Sequence, residues 1–226
     1  MATATSAPTI SQSQLDKHEQ PPLAGGAGGD PLVLGLPLIA VGAVALGLQL
    51  VGYVSISSNG SPLAVLLGGS GLGLLIATVW ASRISHQPAS SPWANGSSLP
   101  TTVLGSLATF FLSYAVLVLG LTHDWFAILP ADATHTVALF QISWIATFAF
   151  LALASIRLPV VFTILFVAFI AALAFLLDST LAPSVTAAKI AGIIVLVIAA
   201  AAGYVFLAIA SRASGGPEYP IGPPIA

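Results

Sequence analysis

The feature that most constrains this sequence is a series of six long apolar runs separated by shorter polar segments. Each run holds about 20 residues, the length that an α-helix needs to cross roughly 30 Å of lipid hydrocarbon. Strands of a membrane β-barrel would be about half as long and would alternate apolar with polar residues, and these runs do not alternate. The predicted spans are Pro31–Val54, Pro62–Ser82, Leu99–Leu121, Thr136–Ile156, Pro159–Leu177 and Ala187–Ser211.

The composition also favours an all-α polytopic membrane protein with six transmembrane helices. Only 5% of the residues are charged, whereas soluble domains have about 25%. So few charges cannot cover a water-facing surface, so we expect membrane lipid to be a partner. The net charge of −2 gives no indication of a nucleic-acid partner, and the absence of cysteine excludes disulfides and thiolate metal sites.

Polar tails divide the chain into three parts. Residues 1–29 are polar and rich in Gly, Pro and small side chains, which predicts a disordered tail. Residues 30–212 form the predicted transmembrane domain. Residues 213–226 form a C-terminal tail whose apolar end can dock on the helices.

The basic residues predict the orientation of the spans. With six spans, Lys17, Arg83, Arg157 and Arg212 fall on one side, and only Lys189 lies near the other. Because cytoplasmic loops carry the excess of Lys and Arg, both termini are predicted to be cytoplasmic. We therefore expect an integral protein of the cell membrane, meaning a plasma or inner membrane.

The stretch "LLGGSGLGLL", residues 66–75, is rich in glycine and lies inside the second predicted span. A phosphate-binding loop would need a strand before it and a helix N-terminus after it, and no strand precedes this stretch. Small residues in lipid let helix backbones approach closely. We interpret Gly69 and Gly73 as a G-x-x-x-G pair for helix packing, with local flexibility as the alternative.

A few polar side chains lie deep in the spans. Ser106, Thr109 and Ser113 are three and four residues apart, so they share one stripe of the third span. That stripe is either a seam of hydrogen bonds between helices or a polar lining for a solute path. Gln49 in the first span is a further candidate for contact with a solute.

Ionisable residues are missing from the middle of every predicted span, which argues against an intramembrane proton relay. His123, Asp124 and His135 lie at span ends and match no recognised metal-binding spacing. No Ser–His–Asp set is apparent either. We therefore predict a protein that is not an enzyme and that carries neither a metal nor a cofactor.

Several segments resemble one family of membrane proteins. "DPLVLGL", which contains Asp30, Pro31, Leu34, Gly35 and Leu36, resembles that family's N-P-A-P-L-G-L signature before span one. "GSLATFFLSYA", "SWIATFAFLALASIRLPVVF", "KIAGIIVLVIAAAAGYVFLA" and "YPIGP" resemble its later spans and its C-terminus. The family is the acetate uptake transporter family, which includes bacterial succinate–acetate permeases and yeast ammonia/acetate membrane proteins. The chain resembles a divergent member, because the family's Glu near the end of span two falls at about Ala81.

The resemblance implies a homohexameric ring with one pore in each protomer. It places the pore constriction on spans one, three and five, at Ile39, Leu107 and Phe169. It implies a transporter or channel for small monocarboxylates such as acetate, and with them succinate, working as a channel or linked to protons. From the residues alone, a membrane assembly protein without transport activity stays open, because glycine- and alanine-rich helix faces serve oligomerisation equally well.

Overall fold

The structure is a computed structural model that describes residues 30–55, 60–84, 99–223 and 225. The tail predicted at residues 1–29 lies outside the described residues. Throughout the described part, the long elements are helices. They are α1 (Pro31–Val51), α2 (Leu72–Ile84, preceded by the π-helical segment Val65–Gly71), α3 (Leu99–Thr122), α4 (Ala133–Ala154), α5 (Val160–Leu181) and α6 (Val185–Ala213).

The prediction of six membrane spans is confirmed, because the described residues contain six helices that are long and apolar enough to cross a membrane. The ends of the helices differ by a few residues from the ends of the predicted spans. α1 stops at Val51 because Gly52 adopts a left-handed conformation, with φ of 94°, and its N–H bonds to the carbonyls of Gln49 and Leu48. Glycine adopts this conformation without the steric penalty that a Cβ would bring, so it ends a helix readily.

The helices pack in an order that differs from their order in the chain. α1 packs most extensively against α6, α5 lies between α4 and α6, and α2 packs on α3 and α1. The backbones of α3 and α4 approach each other closely at few points, and aromatic rings fill the space between them. Phe110 of α3 meets Trp144 of α4 edge to face, with ring centroids 5.3 Å apart.

Apolar side chains also cover the outside of this bundle. Phe150 is 72% exposed, Leu153 67% and Leu139 66%, although all three lie within a predicted span. Exposing such side chains to water would cost free energy, since burial of an apolar side chain stabilises by about 1.5–3 kcal/mol. This surface is suited to lipid or to another membrane subunit.

The glycine-rich stretch packs differently from its sequence pattern. A Cβ added to Gly73 would lie 2.7 Å from Cδ1 of Leu38 on α1, so α1 and α2 are in close contact there. A Cβ on Gly69 would lie 3.9 Å from its nearest neighbours, which is ordinary contact. The G-x-x-x-G interpretation assumed an α-helical repeat, but Gly69 lies in the π-helical segment. The two glycines therefore contribute unequally to packing, and the close approach is at Gly73.

The π-helical segment also makes a polar contact with α1. The buried Ser70 hydroxyl donates a hydrogen bond of 2.7 Å to the carbonyl oxygen of Leu38. This carbonyl lies one residue after Pro37, which is inside α1. Inside lipid no water is available to bond with a backbone carbonyl, so hydrogen bonds of this kind between helices satisfy it.

The C-terminal tail docks on the turn that joins α4 and α5. The N–H of Val160 donates to the Pro223 carbonyl at 3.0 Å, and the N–H of Ile225 donates to the Ile156 carbonyl at 3.1 Å. The Tyr204 hydroxyl on α6 donates to the Pro220 carbonyl at 2.8 Å. The tail therefore links α6 to the α4–α5 turn.

Removal of residues 217–226 is expected to lower the thermal stability of the protein in detergent. The truncation removes both backbone hydrogen bonds to the turn, each worth about 0.5–1.5 kcal/mol. The melting temperature should fall by several degrees, and Tyr204→Phe, which deletes one hydrogen bond, should cause a smaller fall. An unchanged melting temperature in the truncated protein would show that the tail contacts contribute nothing to stability.

Candidate functional site

The three residues expected at a constriction lie at one level inside the bundle. Ile39, Leu107 and Phe169 are all buried in the main apolar core. Each lies eight or nine residues from the start of its helix at Pro31, Leu99 or Val160. At 1.5 Å per residue this is about 12–14 Å from the same end of three helices that run parallel to one another.

A small cavity lies beside this level, toward the opposite end of the bundle. Its volume is about 30 Å³, which is enough for one or two water molecules. Phe169 belongs to its wall, whereas Ile39 and Leu107 do not. The lining residues are Ala43, Leu46, Leu50, Phe110, Phe111, Tyr114, Val137, Phe140, Gln141, Phe169, Ala172, Leu173, Leu176 and Val195.

Stacked aromatic rings hold the wall of the cavity in place. The ring of Phe169 stacks on Phe148 with centroids 4.9 Å apart and planes at 15°. Phe148 in turn meets Phe110 edge to face at 5.6 Å. Ring pairs in these geometries are worth about 0.5–1.5 kcal/mol beyond their buried area. The cavity therefore has a wall of interlocked rings that resists collapse.

Gln141 is the one amide among the cavity-lining residues, and its side chain is 3% exposed. Its Nε2 donates to Oγ1 of Thr180 at 2.9 Å. Its Oε1 is buried and has no hydrogen-bond partner among the residues that the structure describes. Sequence reasoning did not assign Gln141 to a site, although a carboxamide deep in an apolar span is a signal of function.

The hydroxyls predicted to line a path lie away from the cavity. Thr109 is exposed on the surface of α3, and its Oγ1 donates to the Gly105 carbonyl of its own helix at 2.8 Å. Ser113 donates to the Thr109 carbonyl at 2.6 Å. Residues two apart on a helix point about 200° apart, so Thr109 lies opposite Leu107 and Phe111.

Neither interpretation of the hydroxyl stripe gains support from this placement. The hydrogen bonds of Thr109 and Ser113 stay within α3 and connect no other helix. Ser106 is half-buried, and none of the three lines the cavity. Their role in a solute path stays a prediction, and the surface they occupy is one that meets lipid or a neighbouring subunit.

Gln49 is buried near the end of α1, with 6% of its surface exposed. Within the described part of the chain its Oε1 has no hydrogen-bond partner, as is also the case for Gln141. Gln49 does not line the cavity, however. Its predicted contact with a solute stays a prediction.

The signature residues form the start of α1 and its contact with α3. The Asp30 carboxylate accepts a hydrogen bond of 2.9 Å from the N–H of Leu32, with Pro31 at the first helical position. Burial raises the pKa of the Asp30 carboxyl, and this hydrogen bond opposes the rise. Gly35 leaves room for the side chain of Leu104 on α3.

The other two signature residues differ in burial. Leu36 is buried in the main core, and Leu34 packs partly buried against it. The motif thus positions α1 against α3, the helix that carries Leu107 and Phe111. Its observed role is structural, since none of its residues lines the cavity.

Metal-binding side chains do not gather anywhere in the described ranges. No group of three or more His, Asp or Glu lies close enough to hold a metal ion there. His123, just after the end of α3, bonds through Nδ1 to the Leu119 carbonyl of that helix at 3.0 Å. The cavity itself is lined by apolar and aromatic residues with Gln141 and without any charged residue.

Comparisons with known proteins agree with this architecture. A solved structure titled "Structure of the bacterial acetate channel SatP" superposes with a TM-score of 0.70 at 20% sequence identity. The match covers 86% of this chain and 99% of that one, and at this identity it establishes the fold. No curated protein matches the sequence. The family model described as "GPR1/FUN34/yaaH family" matches residues 17–216, and the chain therefore belongs to the GPR1/FUN34/yaaH family.

Proposed function

We propose that this protein is a membrane transporter or channel for small carboxylates, with the monocarboxylate acetate as the first candidate and the dicarboxylate succinate as the second. The observation that carries the proposal is the cavity inside a six-helix bundle that shares its fold with an acetate channel. Family membership supports the same function.

The size and the apolar lining of the cavity favour a small solute with an apolar end. At about 30 Å³ it admits one or two waters, so a carboxylate passes only if side chains such as Phe169 move aside. An apolar narrow segment of this kind resists hydrated cations, because they cannot shed their water there. A short acid has an apolar end that tolerates such a wall.

The quaternary structure and the orientation belong to the same proposal. The apolar outer surface, with Phe150 and Leu153 exposed, leaves area for contact with copies of this chain, and we propose a ring-shaped homohexamer. Arg157 and Arg212 lie at the end of the bundle where the C-terminal tail docks on the α4–α5 turn. By the positive-inside rule this end is cytoplasmic.

Flux of labelled acetate into liposomes that contain the purified protein tests the proposed function. Ala172→Leu is expected to reduce flux at least tenfold, because Ala172 is buried in the cavity wall and a leucine overfills about 30 Å³. Ala174→Leu makes the same change on the exposed face of α5 and should leave flux unchanged. If the wild-type protein carries no acetate above protein-free liposomes, the assembly-protein alternative is favoured.

A further inference from the structure

We propose that the loop between α3 and α4, residues 123–132, docks on the lipid surface through Trp125, Phe126 and Leu129. The partner is the boundary between lipid headgroups and acyl chains, in the leaflet at the end of the bundle opposite to the C-terminal tail. This contact is additional to the proposed transport function, and it holds the ends of α3 and α4 at a fixed depth in the membrane.

The loop exposes three large apolar side chains within a short connection. The exposed fractions are 58% for Trp125, 50% for Phe126 and 66% for Leu129. Apolar surface left in water forgoes the favourable free energy of burial, and a cluster of exposed apolar side chains marks a site of contact with protein or membrane. The loop therefore has a surface that needs a partner.

The backbone holds this surface in a defined turn. The N–H of Trp125 donates to the Gly120 carbonyl of α3 at 3.0 Å. Asp124 and Ala127 both adopt the left-handed conformation, with φ of 58° and 49°, which is uncommon for residues with a Cβ. The ring of His123 lies against the Trp125 indole, with centroids 5.7 Å apart. The apolar side chains are thus presented by an ordered turn that folds back on α3.

Phe126 shows on which side of the bundle the loop lies. A Cβ added to Gly120 would overlap the ring of Phe126, so this ring lies on α3 at Gly120. Gly120 comes nine residues after Phe111, and at about 100° per residue the two point about 180° apart. Because Phe111 is buried in the main core, Phe126 covers the outer face of α3. The loop therefore continues the apolar outer surface of the spans and leaves the interior of the bundle uncovered.

The length of α3 gives the depth of this contact. α3 has 24 residues and is about 36 Å long, whereas the hydrocarbon core is about 30 Å thick, so a centred helix ends about 3 Å outside it. Gly120 lies two residues before the end of α3 at Thr122, which is about 3 Å back along the axis. Phe126 is therefore at the edge of the hydrocarbon, and Trp125 is at the level that tryptophan favours in membrane proteins.

The charges of the loop favour lipid over a second protein as the partner. Asp124 and Asp132 lie on either side of the three apolar residues, and both are exposed. A protein that covered the loop would take these carboxylates out of water, which is costly unless each meets a basic group. A lipid surface can cover the apolar side chains and leave both carboxylates hydrated.

Single-cysteine variants test the docking, because the chain has no cysteine of its own and each variant carries one nitroxide label. Power-saturation measurements in liposomes compare the access of oxygen, which concentrates in lipid, with that of a water-soluble nickel chelate. The oxygen-to-nickel ratio of Leu129→Cys should be severalfold higher than that of Asp132→Cys, the control in the same loop. Equal ratios would place Leu129 in water, and a label shielded from both reagents would mean that a second copy or another protein covers it. Either result would overturn the proposal.

Fluorescence tests the native side chain. The chain contains four tryptophans, so the difference in emission between wild type and Trp125→Phe gives the signal of Trp125. Liposomes whose lipids carry bromine near the headgroup end of the acyl chains should quench this signal more strongly than liposomes with bromine at the far end. No quenching by either lipid, or equal quenching by both, would contradict docking at the headgroup boundary.

Discussion

Gly192→Val is expected to prevent stable folding, because α1 and α6 touch backbone to backbone at this position. A Cβ on Gly192 would lie 2.8 Å from Cβ of Leu50 and 2.9 Å from the backbone nitrogen of Val51. From the other side, a Cβ on Gly47 would lie 3.1 Å from the carbonyl oxygen of Gly192. Backbone atoms cannot rotate aside, so the most extensive helix pair of the bundle would have to separate.

The cost should exceed about 3 kcal/mol, the upper end of typical overpacking. Size-exclusion chromatography in detergent should show aggregation or loss of the folded species, and any remaining protein should melt at a clearly lower temperature. Gly203→Val is the matched control on the same helix, because nothing lies within 4 Å of a Cβ built there. Equal yield and melting temperature for the two variants would mean that α1 and α6 do not approach as described.

Phe169→Ala is expected to raise acetate flux several-fold and to admit longer acids. The ring of Phe169 closes one side of the cavity and stacks on Phe148 at 4.9 Å, so its removal enlarges a space of only about 30 Å³. Stability should fall by about 3–5 kcal/mol, as is typical when a buried Phe is cut to Ala. The measurement is the ratio of butyrate to acetate flux in liposomes.

Two further variants keep this experiment interpretable. Phe169→Leu removes the ring but keeps more volume, so it should shift the ratio in the same direction while retaining more stability. Phe175→Ala makes the same truncation at a residue of α5 that is 39% exposed and does not line the cavity. A butyrate-to-acetate ratio that is the same for Phe169→Ala, Phe175→Ala and wild type would place the solute path elsewhere.

The six helices could be predicted from the lengths of the apolar runs alone, because each segment that crosses lipid must form all its backbone hydrogen bonds within itself. An Asp-Pro pair favours the start of a helix, and Asp30 caps α1 with Pro31 at its first position. The inward face of each helix could not be predicted in this way. Both the interior and the lipid face are apolar, so periodicity carries little information, and Thr109 and Ser113 satisfy their hydroxyls on α3 itself.

Part of the candidate site could be predicted from the sequence. The family resemblance predicted Ile39, Leu107 and Phe169 as the pore constriction. All three residues are buried. The partnership of Gln141 with Thr180 joins residues 39 apart on two helices, so only the fold could reveal it. The π-helical winding of Val65–Gly71 was likewise not predicted from the sequence, and in the fold Gly71 of this segment lies against the side chain of Leu112 on α3.

The docking of Pro223 and Ile225 on the α4–α5 turn has a consequence for the order of assembly during synthesis. The turn at residues 156–160 leaves the ribosome well before the segment that follows α6. The N–H of Val160 and the carbonyl of Ile156 therefore lack their partners in the tail until α6 has been inserted and the chain after it has emerged. The contact between the tail and the α4–α5 turn can therefore form only after the whole of α6 has been synthesised.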